Sequence, residues 1–251
     1  MIEITEHGRI REIRLNRPPV NALNPELVGQ LTRSLENAHS ESDAIVLSGR
    51  QGMFSAGLDV VELLQLDRQA MTLFWQSFIK LLEVIACSPV PVAVAITGHS
   101  PAGGAVVSMM ADYRVMSRGG FKIGLNETGV GLIVPVLLQD AMVRLVGPRI
   151  AEKMVVAGTL VDPQQALEIG FIDALETGYE ETIQHALQWC EQILALPRHA
   201  MMGNRVIARA HFKREFDTRT NETVQGFVEN WFSAETQDVL NSFVAKLKSR
   251  K

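Results

Sequence analysis

The chain has 251 residues, of which 47% are apolar, and its formal net charge at pH 7 is -4. This length and this apolar fraction are sufficient for one large hydrophobic core, and no low-complexity tract indicates disorder. The acidic balance argues against a nucleic-acid partner, because a surface that follows phosphates is normally basic. Cys87 and Cys190 lie far apart without metal-ligand spacing, so we expect neither a disulfide scaffold nor a metal site.

The N-terminus runs directly into an alternating strand pattern, without the basic region and apolar core of a secretory signal. The longest apolar run, at 90–96, is too short to span a bilayer. We therefore expect no membrane insertion. The expected location is the cytoplasm of a bacterium-like cell, or the mitochondrial matrix if a leader has been removed.

The first half of the sequence alternates predicted strands and helices. Residues 2–4 and 10–15 predict two antiparallel strands, and the following helix begins with Asn24 as N-cap and Pro25 at the first helical position. The buried face of this helix is predicted from apolar residues in four-residue steps: Leu27, Leu31 and Leu35. The other predicted elements of this half are strands at 44–49, 90–96, 112–116 and 121–124, and an amphipathic helix at 74–86.

After Pro135 the pattern changes to helices, which are predicted at 136–145, 150–157, 163–169, 179–196 and along a tail at 199–250. Strand–strand–helix units followed by helices indicate an α/β fold. We divide the chain into a core at 1–196 and a helical C-terminal region at 197–251. No linker is long enough to separate independent domains.

Two glycine-bearing turns and one acidic residue are the features of the sequence that indicate its chemistry. The turns, at 54–59 (Phe-Ser-Ala-Gly-Leu-Asp) and 100–105 (Ser-Pro-Ala-Gly-Gly-Ala), each follow a predicted buried strand. Unpaired backbone N–H groups of such turns can converge into an oxyanion hole. Glu127 supplies a carboxylate that could move protons on the carbon next to a carbonyl. Each feature alone is more often a tight turn or a solvated acid, but together they indicate enolate chemistry on an acyl group.

The motifs together resemble the crotonase (enoyl-CoA hydratase/isomerase) superfamily, and within it the mitochondrial-type Δ3,Δ2-enoyl-CoA isomerases. The resemblance covers nearly the full length and is carried by both turns and by three further segments: 15–18 (Leu-Asn-Arg-Pro), 111–114 (Ala-Asp-Tyr-Arg) and 124–128 (Gly-Leu-Asn-Glu-Thr). It implies a crotonase-like ββα spiral core with a helical C-terminal trimerisation region, and a homotrimer or hexamer. It also implies an acyl-CoA substrate, with CoA as part of the substrate and no separate cofactor.

The same resemblance implies roles for individual residues. The backbone N–H groups of Leu58 and Gly103 would hold the thioester oxygen. Glu127 would take a proton from C2 and return it at C4. The Ala56 carbonyl would approach the adenine amino group of CoA. The other positions expected to contact substrate are Gly57, Gly104, Val106 and Pro135.

Two departures from relatives favour isomerisation. Hydratases carry a second glutamate where this chain has Val106, and dienoyl-CoA isomerases carry an aspartate where it has Pro135. One carboxylate suits the movement of a double bond better than hydration, which must also activate water. We therefore expect a Δ3,Δ2-enoyl-CoA isomerase of β-oxidation. The alternatives are a hydratase, another acyl-CoA enolate enzyme such as a decarboxylase or thioesterase, and a non-catalytic acyl-CoA-binding protein.

Several other residues have two readings. Arg205 and Arg209 share a helix face that is either solvated or, as in relatives, in contact with CoA phosphates. His99 is either a structural turn residue or a substrate contact, and Asp59 is expected to cap a helix. The stripe that includes Phe227, Trp231 and Phe243 is expected in the core or at a subunit contact. The residues expected to shield Glu127 and raise its pKa are Val106, Val107, Leu132, Ile133 and Val134.

Overall fold

The computed structural model describes residues 1–249. Within this range the strands are β1 Ile2–His7, β2 Ile10–Leu15, β3 Ala44–Ser48, β4 Gly52–Met53, β5 Val92–Ile96, β6 Gly98–Pro101, β7 Tyr113–Ser117, β8 Ile123–Gly124 and β9 Ala174–Glu176. The helices are α1 Pro25–Glu41, α2 Val60–Leu63, α3 Arg68–Ala86, α4 Gly103–Met109, α5 Val136–Val146, α6 Pro148–Ala157, α7 Pro163–Glu168, α8 Tyr179–Leu194, α9 Arg198–Trp231 and α10 Ala234–Lys248. A 3-10 turn occupies Glu127–Val130.

The strands form two sheets, and successive segments of the chain contribute strands first to one sheet and then to the other. The larger sheet has the order β1-β2-β3-β5-β7-β9, and the smaller has the order β4-β6-β8. Every strand pair is parallel except β1 with β2, which is antiparallel as predicted. Consecutive strands therefore alternate between the sheets, β3 with β4, β5 with β6 and β7 with β8. This arrangement confirms the predicted α/β class and its ββα spiral core.

The central strands are buried on both faces, as their continuous apolar sequences predict. Along β3, Ala44 and Val46 pack toward α8, whereas Ile45 and Leu47 belong to the larger core that includes α1 and α3. The two-residue period of a strand produces this division. Helix α1 begins as predicted, since the Asn24 side chain accepts a hydrogen bond from the backbone N–H of Leu27 at 2.9 Å.

Some elements differ from the predictions. The C-terminal half contains β9, which pairs with β7 and was missed because three half-buried residues carry no visible alternation. Helix α3 begins at Arg68, six residues before the predicted start, with Asp67 as its N-cap. Helix α9 begins at Arg198, and the division into regions 1–196 and 197–251 stays a prediction. No helix in residues 1–249 combines the length and apolar character needed to cross a membrane.

Arg205 and Arg209 anchor α9 to the core. Both guanidinium groups pair with the Asp112 carboxylate, at 2.8 Å and 3.2 Å, and Arg209 also donates to the backbone carbonyls of Ala86 and Met110. Burial lowers the pKa of Arg209 to about 10. The expectation of a solvated face is therefore wrong for these two arginines. Because the core occupies their donors, the structure gives no support to a role in binding CoA phosphates.

Loss of the Asp112 carboxylate should be strongly destabilising. Asp112→Ala is expected to lower the free energy of unfolding by about 3–5 kcal/mol, because it leaves two largely buried arginines without their counter-charge. Urea unfolding at pH 7 measures the effect. The matched control is Glu152→Ala, which removes an exposed pair with Arg149 and should cost less than about 1 kcal/mol. Equal losses in both variants would contradict the anchoring role.

Candidate active site

The two glycine turns touch each other beside the smaller sheet. The backbone N–H groups of Phe54 and Ser55 donate to the carbonyl of His99, at 2.9 Å and 3.3 Å. Gly57 has φ +85°, and a Cβ at this position would lie only 2.9 Å from the Cβ of Ala102 and 3.0 Å from the backbone nitrogen of Gly103. Only glycine accommodates both this backbone conformation and this approach.

The backbone N–H groups at this contact that have no acceptor among residues 1–249 include those of Leu58 and Gly103. They are close in space, since a Cβ built on Gly103 would lie 3.4 Å from the Leu58 nitrogen. Ala102, which precedes Gly103, has φ +48° and ψ -122°. This conformation costs a residue other than glycine about 1–3 kcal/mol, and such strain is found mainly at functional sites. The pair has the form of an oxyanion hole.

Both turns open onto one cleft of about 450 Å³. One wall comes from the loop 17–22 after β2, and another from Ala56, Leu58 and α2. The segment that carries Glu127 forms the third wall, and Phe243 and Leu247 of α10 close the cleft. The C-terminal helix therefore contributes directly to the site.

Glu127 begins the 3-10 turn in this cleft. Its Oε2 atom is buried and has no hydrogen-bond partner within residues 1–249. Burial raises the pKa of Glu127 to about 7. The backbone N–H of Leu132 donates to the Glu127 carbonyl at 3.0 Å, and the Thr128 hydroxyl donates to the carbonyl of Val155 at 2.7 Å. A positioned carboxyl group with a pKa near neutrality can both accept and return a proton.

The raised pKa predicts that Glu127 lowers stability as the pH rises. The folded protein binds this proton up to about pH 7, whereas the unfolded chain releases it near pH 4.5. The contribution of this protonation difference to the free energy of unfolding is therefore fully present below pH 4.5, and up to about 3 kcal/mol of it is lost by pH 7. Glu127→Gln should remove this loss, so that its Tm relative to wild type is higher at pH 8 than at pH 5. Thermal melts at both pH values measure it, and a constant difference would contradict the raised pKa.

The structure brings several of the predicted site residues together. Ala56, Leu58 and Glu127 lie on the cleft wall, and Gly57 and Gly103 form the contact between the turns. These positions therefore support the predicted roles without testing them.

Three other predicted positions lie away from the cleft wall. Gly104 packs behind it, where a Cβ would lie 2.6 Å from the Ser55 carbonyl oxygen. Val106 is 1% exposed in the core, because every residue of α4 is buried. Pro135 lines a separate cavity of about 280 Å³ beside α9. The expectation that Val106 and Pro135 contact substrate therefore lacks support in this structure.

The expectations for the neighbouring residues have mixed outcomes. Asp59 caps α2, accepting from the N–H of Glu62 at 3.1 Å, as predicted. His99 accepts from the backbone N–H of Lys122 at 3.2 Å, which favours the structural reading. Ile133 is 67% exposed, so the expectation that it shields Glu127 is wrong.

Two parts of the cleft were missed. Asn126 lies on the wall beside Glu127, and its Oδ1 atom is buried without a partner in the described chain. Phe243 was expected in the core or at a subunit contact but lines the cleft. The position of Asn126 next to the candidate acid was the available signal. Nothing in the sequence around Phe243 indicates that its side chain lines the cleft.

Comparison with known proteins places this geometry in a family. The sequence matches the enoyl-CoA hydratase/isomerase family over residues 5–250. The chain belongs to this family. Human enoyl-CoA delta isomerase 1, mitochondrial, is 31% identical over 256 residues, which span 100% of this chain and 84% of the relative. A probable enoyl-CoA hydratase, EchA17 of Mycobacterium tuberculosis (strain ATCC 25618 / H37Rv), is 30% identical over 189 residues, 74% of this chain and 72% of the relative.

The fold supports the same family assignment. The crystal structure of human mitochondrial delta3-delta2-enoyl-CoA isomerase matches with a TM-score of 0.94 at 29% identity, covering 100% of this chain and 99% of that one. The crotonase-type fold and the isomerase-like resemblance predicted from the motifs are thereby confirmed. Relatives named as isomerases and as hydratases both occur, so family membership leaves the reaction to be inferred from the site.

Proposed function

We propose that the protein is a Δ3,Δ2-enoyl-CoA isomerase, which converts 3-enoyl-CoA to trans-2-enoyl-CoA in β-oxidation. The observation that carries the proposal is a single buried carboxyl group, that of Glu127, on the wall of the same cleft as Leu58, whose unpaired N–H group lies close to that of Gly103. The similarity to the human isomerase over the whole chain supports it.

The proposed reaction needs only these groups. The N–H groups of Leu58 and Gly103 hold the thioester oxygen while the Glu127 carboxylate removes a proton from C2. The electrons of that C–H bond form a dienolate, whose charge the two donors stabilise, each contributing about 3–4 kcal/mol. Glu127 then returns the proton to C4, and the double bond lies between C2 and C3. Atoms and charge balance without a cofactor, and CoA takes part only as a portion of the substrate.

Hydration is the weaker reading because a second free carboxylate is not found on the described cleft wall. Asp59 lies there, but it pairs with Arg17 at 2.8 Å and caps α2. A hydratase must activate water as well as protonate C2. The chain's similarity to a probable hydratase keeps this reaction as the alternative to be tested.

A spectrophotometric assay with 3-hexenoyl-CoA and 2-hexenoyl-CoA separates these readings. Conjugated enoyl absorbance should appear rapidly from the first substrate, with little loss from the second. Loss of conjugation from the second would support a hydratase. No change in absorbance with either substrate would refute both assignments and favour a decarboxylase, a thioesterase or a non-catalytic acyl-CoA-binding protein.

The raised pKa predicts the pH dependence of the isomerase. The free enzyme must hold Glu127 ionised to accept the first proton. We therefore expect kcat/KM for 3-hexenoyl-CoA to rise about tenfold per pH unit below pH 7 and to level off above it. A profile measured from pH 5.5 to 8.5 tests this expectation. A flat profile would contradict the assignment of Glu127 as the base.

The assembly and the location belong to the same proposal. We place the protein in homotrimers or hexamers, with the helical C-terminal region as the trimerisation element. The proposed compartment is the bacterial cytoplasm or, after removal of a leader, the mitochondrial matrix. The relatives that are named as mitochondrial isomerases support the second of these compartments.

A further inference from the structure

A closed set of hydrogen bonds joins the C-terminal helices to the segment that carries Glu127. The backbone N–H of Ile133 donates to Asn230 Oδ1 at 2.9 Å. Asn230 Nδ2 donates to Thr236 Oγ1 at 3.1 Å, and Thr236 Oγ1 donates to the carbonyl of Gly131 at 2.8 Å. We call these three bonds the Asn230–Thr236 clamp. Asn230 and Thr236 each accept one of these bonds and donate the next, so the three bonds together hold the backbone at Gly131 and Ile133 in one geometry.

The clamp acts on the part of the backbone that ends the catalytic turn. Gly131 closes the 3-10 turn with φ +76°, and the next residue, Leu132, donates to the carbonyl of Glu127 itself. A shift of the Gly131 carbonyl would therefore reach Glu127 through four residues of tightly hydrogen-bonded chain. Thr236 is 2% exposed, so water does not readily replace its hydroxyl.

Packing at the same place strengthens this coupling. A Cβ built on Gly131 would lie 3.3 Å from the Cβ of Val239, one turn along α10 from Thr236. Phe243 and Leu247 follow on the same helix and close the cleft. One helix therefore both holds the turn that carries Glu127 and forms a wall of the substrate site.

We propose that Asn230 and Thr236 are positioning residues for catalysis, which hold Glu127 in register with the oxyanion hole from the C-terminal helices. This inference rests on the proposed isomerase function. Neither Asn230 nor Thr236 lies on the cleft wall, so neither residue contacts the acyl group. Their contribution is to keep the carboxyl group at the distance that proton transfer from C2 and to C4 requires.

Thr236→Val tests the proposal, since it removes the hydroxyl with little change in shape. We expect kcat for 3-hexenoyl-CoA to fall about tenfold, because small displacements of a reacting group are costly, while KM changes less than about twofold. Thr236→Ser, which restores the hydroxyl, should recover most of kcat. The control is Thr220→Val, whose hydroxyl donates to the Phe216 carbonyl within α9, and which should keep wild-type kcat.

Hydrogen–deuterium exchange supplies a readout that does not depend on activity. In Thr236→Val, the amides of residues 128–133 should exchange about tenfold faster, with exchange in the central strands unchanged. Unchanged exchange with unchanged kcat would overturn the clamp. Faster exchange with wild-type kcat would overturn its role in catalysis. If the wild type isomerises nothing but Thr236→Val still exchanges faster than the wild type, the clamp is supported and the proposed function is overturned instead.

Discussion

Glu127→Gln is expected to lower kcat for 3-hexenoyl-CoA about 10²–10⁴-fold, the usual contribution of a positioned acid–base group. The amide has the shape of the carboxyl group but cannot accept a proton from C2, so KM should change less than about threefold. Steady-state kinetics at pH 8 measure both constants. The melts described above show whether the variant is folded.

The matched control is Glu152→Gln, which makes the same chemical change on an exposed glutamate of α6. It should retain wild-type kcat and KM. If Glu127→Gln kept more than about a third of wild-type kcat, another group would have to move the proton, and the proposed roles in catalysis would be wrong.

Gly57→Ala is expected to be the second most damaging change. Its Cβ would meet Ala102 at 2.9 Å and the Gly103 nitrogen at 3.0 Å, so the two turns must separate. This separation would move one N–H donor of the oxyanion hole away from the thioester oxygen, and the loss of one such donor typically lowers kcat about 10²–10³-fold. Kinetics with 3-hexenoyl-CoA measure the loss, and circular dichroism checks the fold.

Gly52→Ala separates the loss of the hole from backbone strain. Gly52 has φ +81°, close to the φ of Gly57, but a Cβ there would have nothing within 4 Å. Both variants should lose about 1–2 kcal/mol of stability to the left-handed conformation. Only Gly57→Ala should lose activity. Equal kcat values in the two variants would show that contact between the turns does not matter to the reaction.

The parts of the site that could be predicted from the sequence are local in the chain. The turns at Gly57 and Gly103 each follow a strand region whose apolar run is visible in the sequence, and Glu127 follows a short predicted strand at 121–124. A tight turn at the end of a buried strand needs glycine for reasons that the segment itself contains. The ββα order then brings the turns together.

The parts that were missed depend on contacts between distant segments. Phe243 lies more than one hundred residues beyond Glu127, and its helical spacing looks the same whether it faces the core or a cleft. Arg205 and Arg209 look solvated on a helical face, and their positions are explained by the Asp112 carboxylate and by backbone carbonyls that lie far away in the sequence. Ile133 is apolar yet exposed, because its backbone rather than its side chain faces Asn230.

The most direct test of the central claim follows the proton itself. The substrate is 3-hexenoyl-CoA carrying deuterium at both C2 positions, converted in ordinary water, and the product is analysed by NMR for deuterium at C4. If Glu127 alone takes the proton from C2 and returns it to C4, part of the product should carry deuterium at C4. Product with no deuterium at C4, even in single turnovers, would contradict a single carboxyl group acting at both carbons.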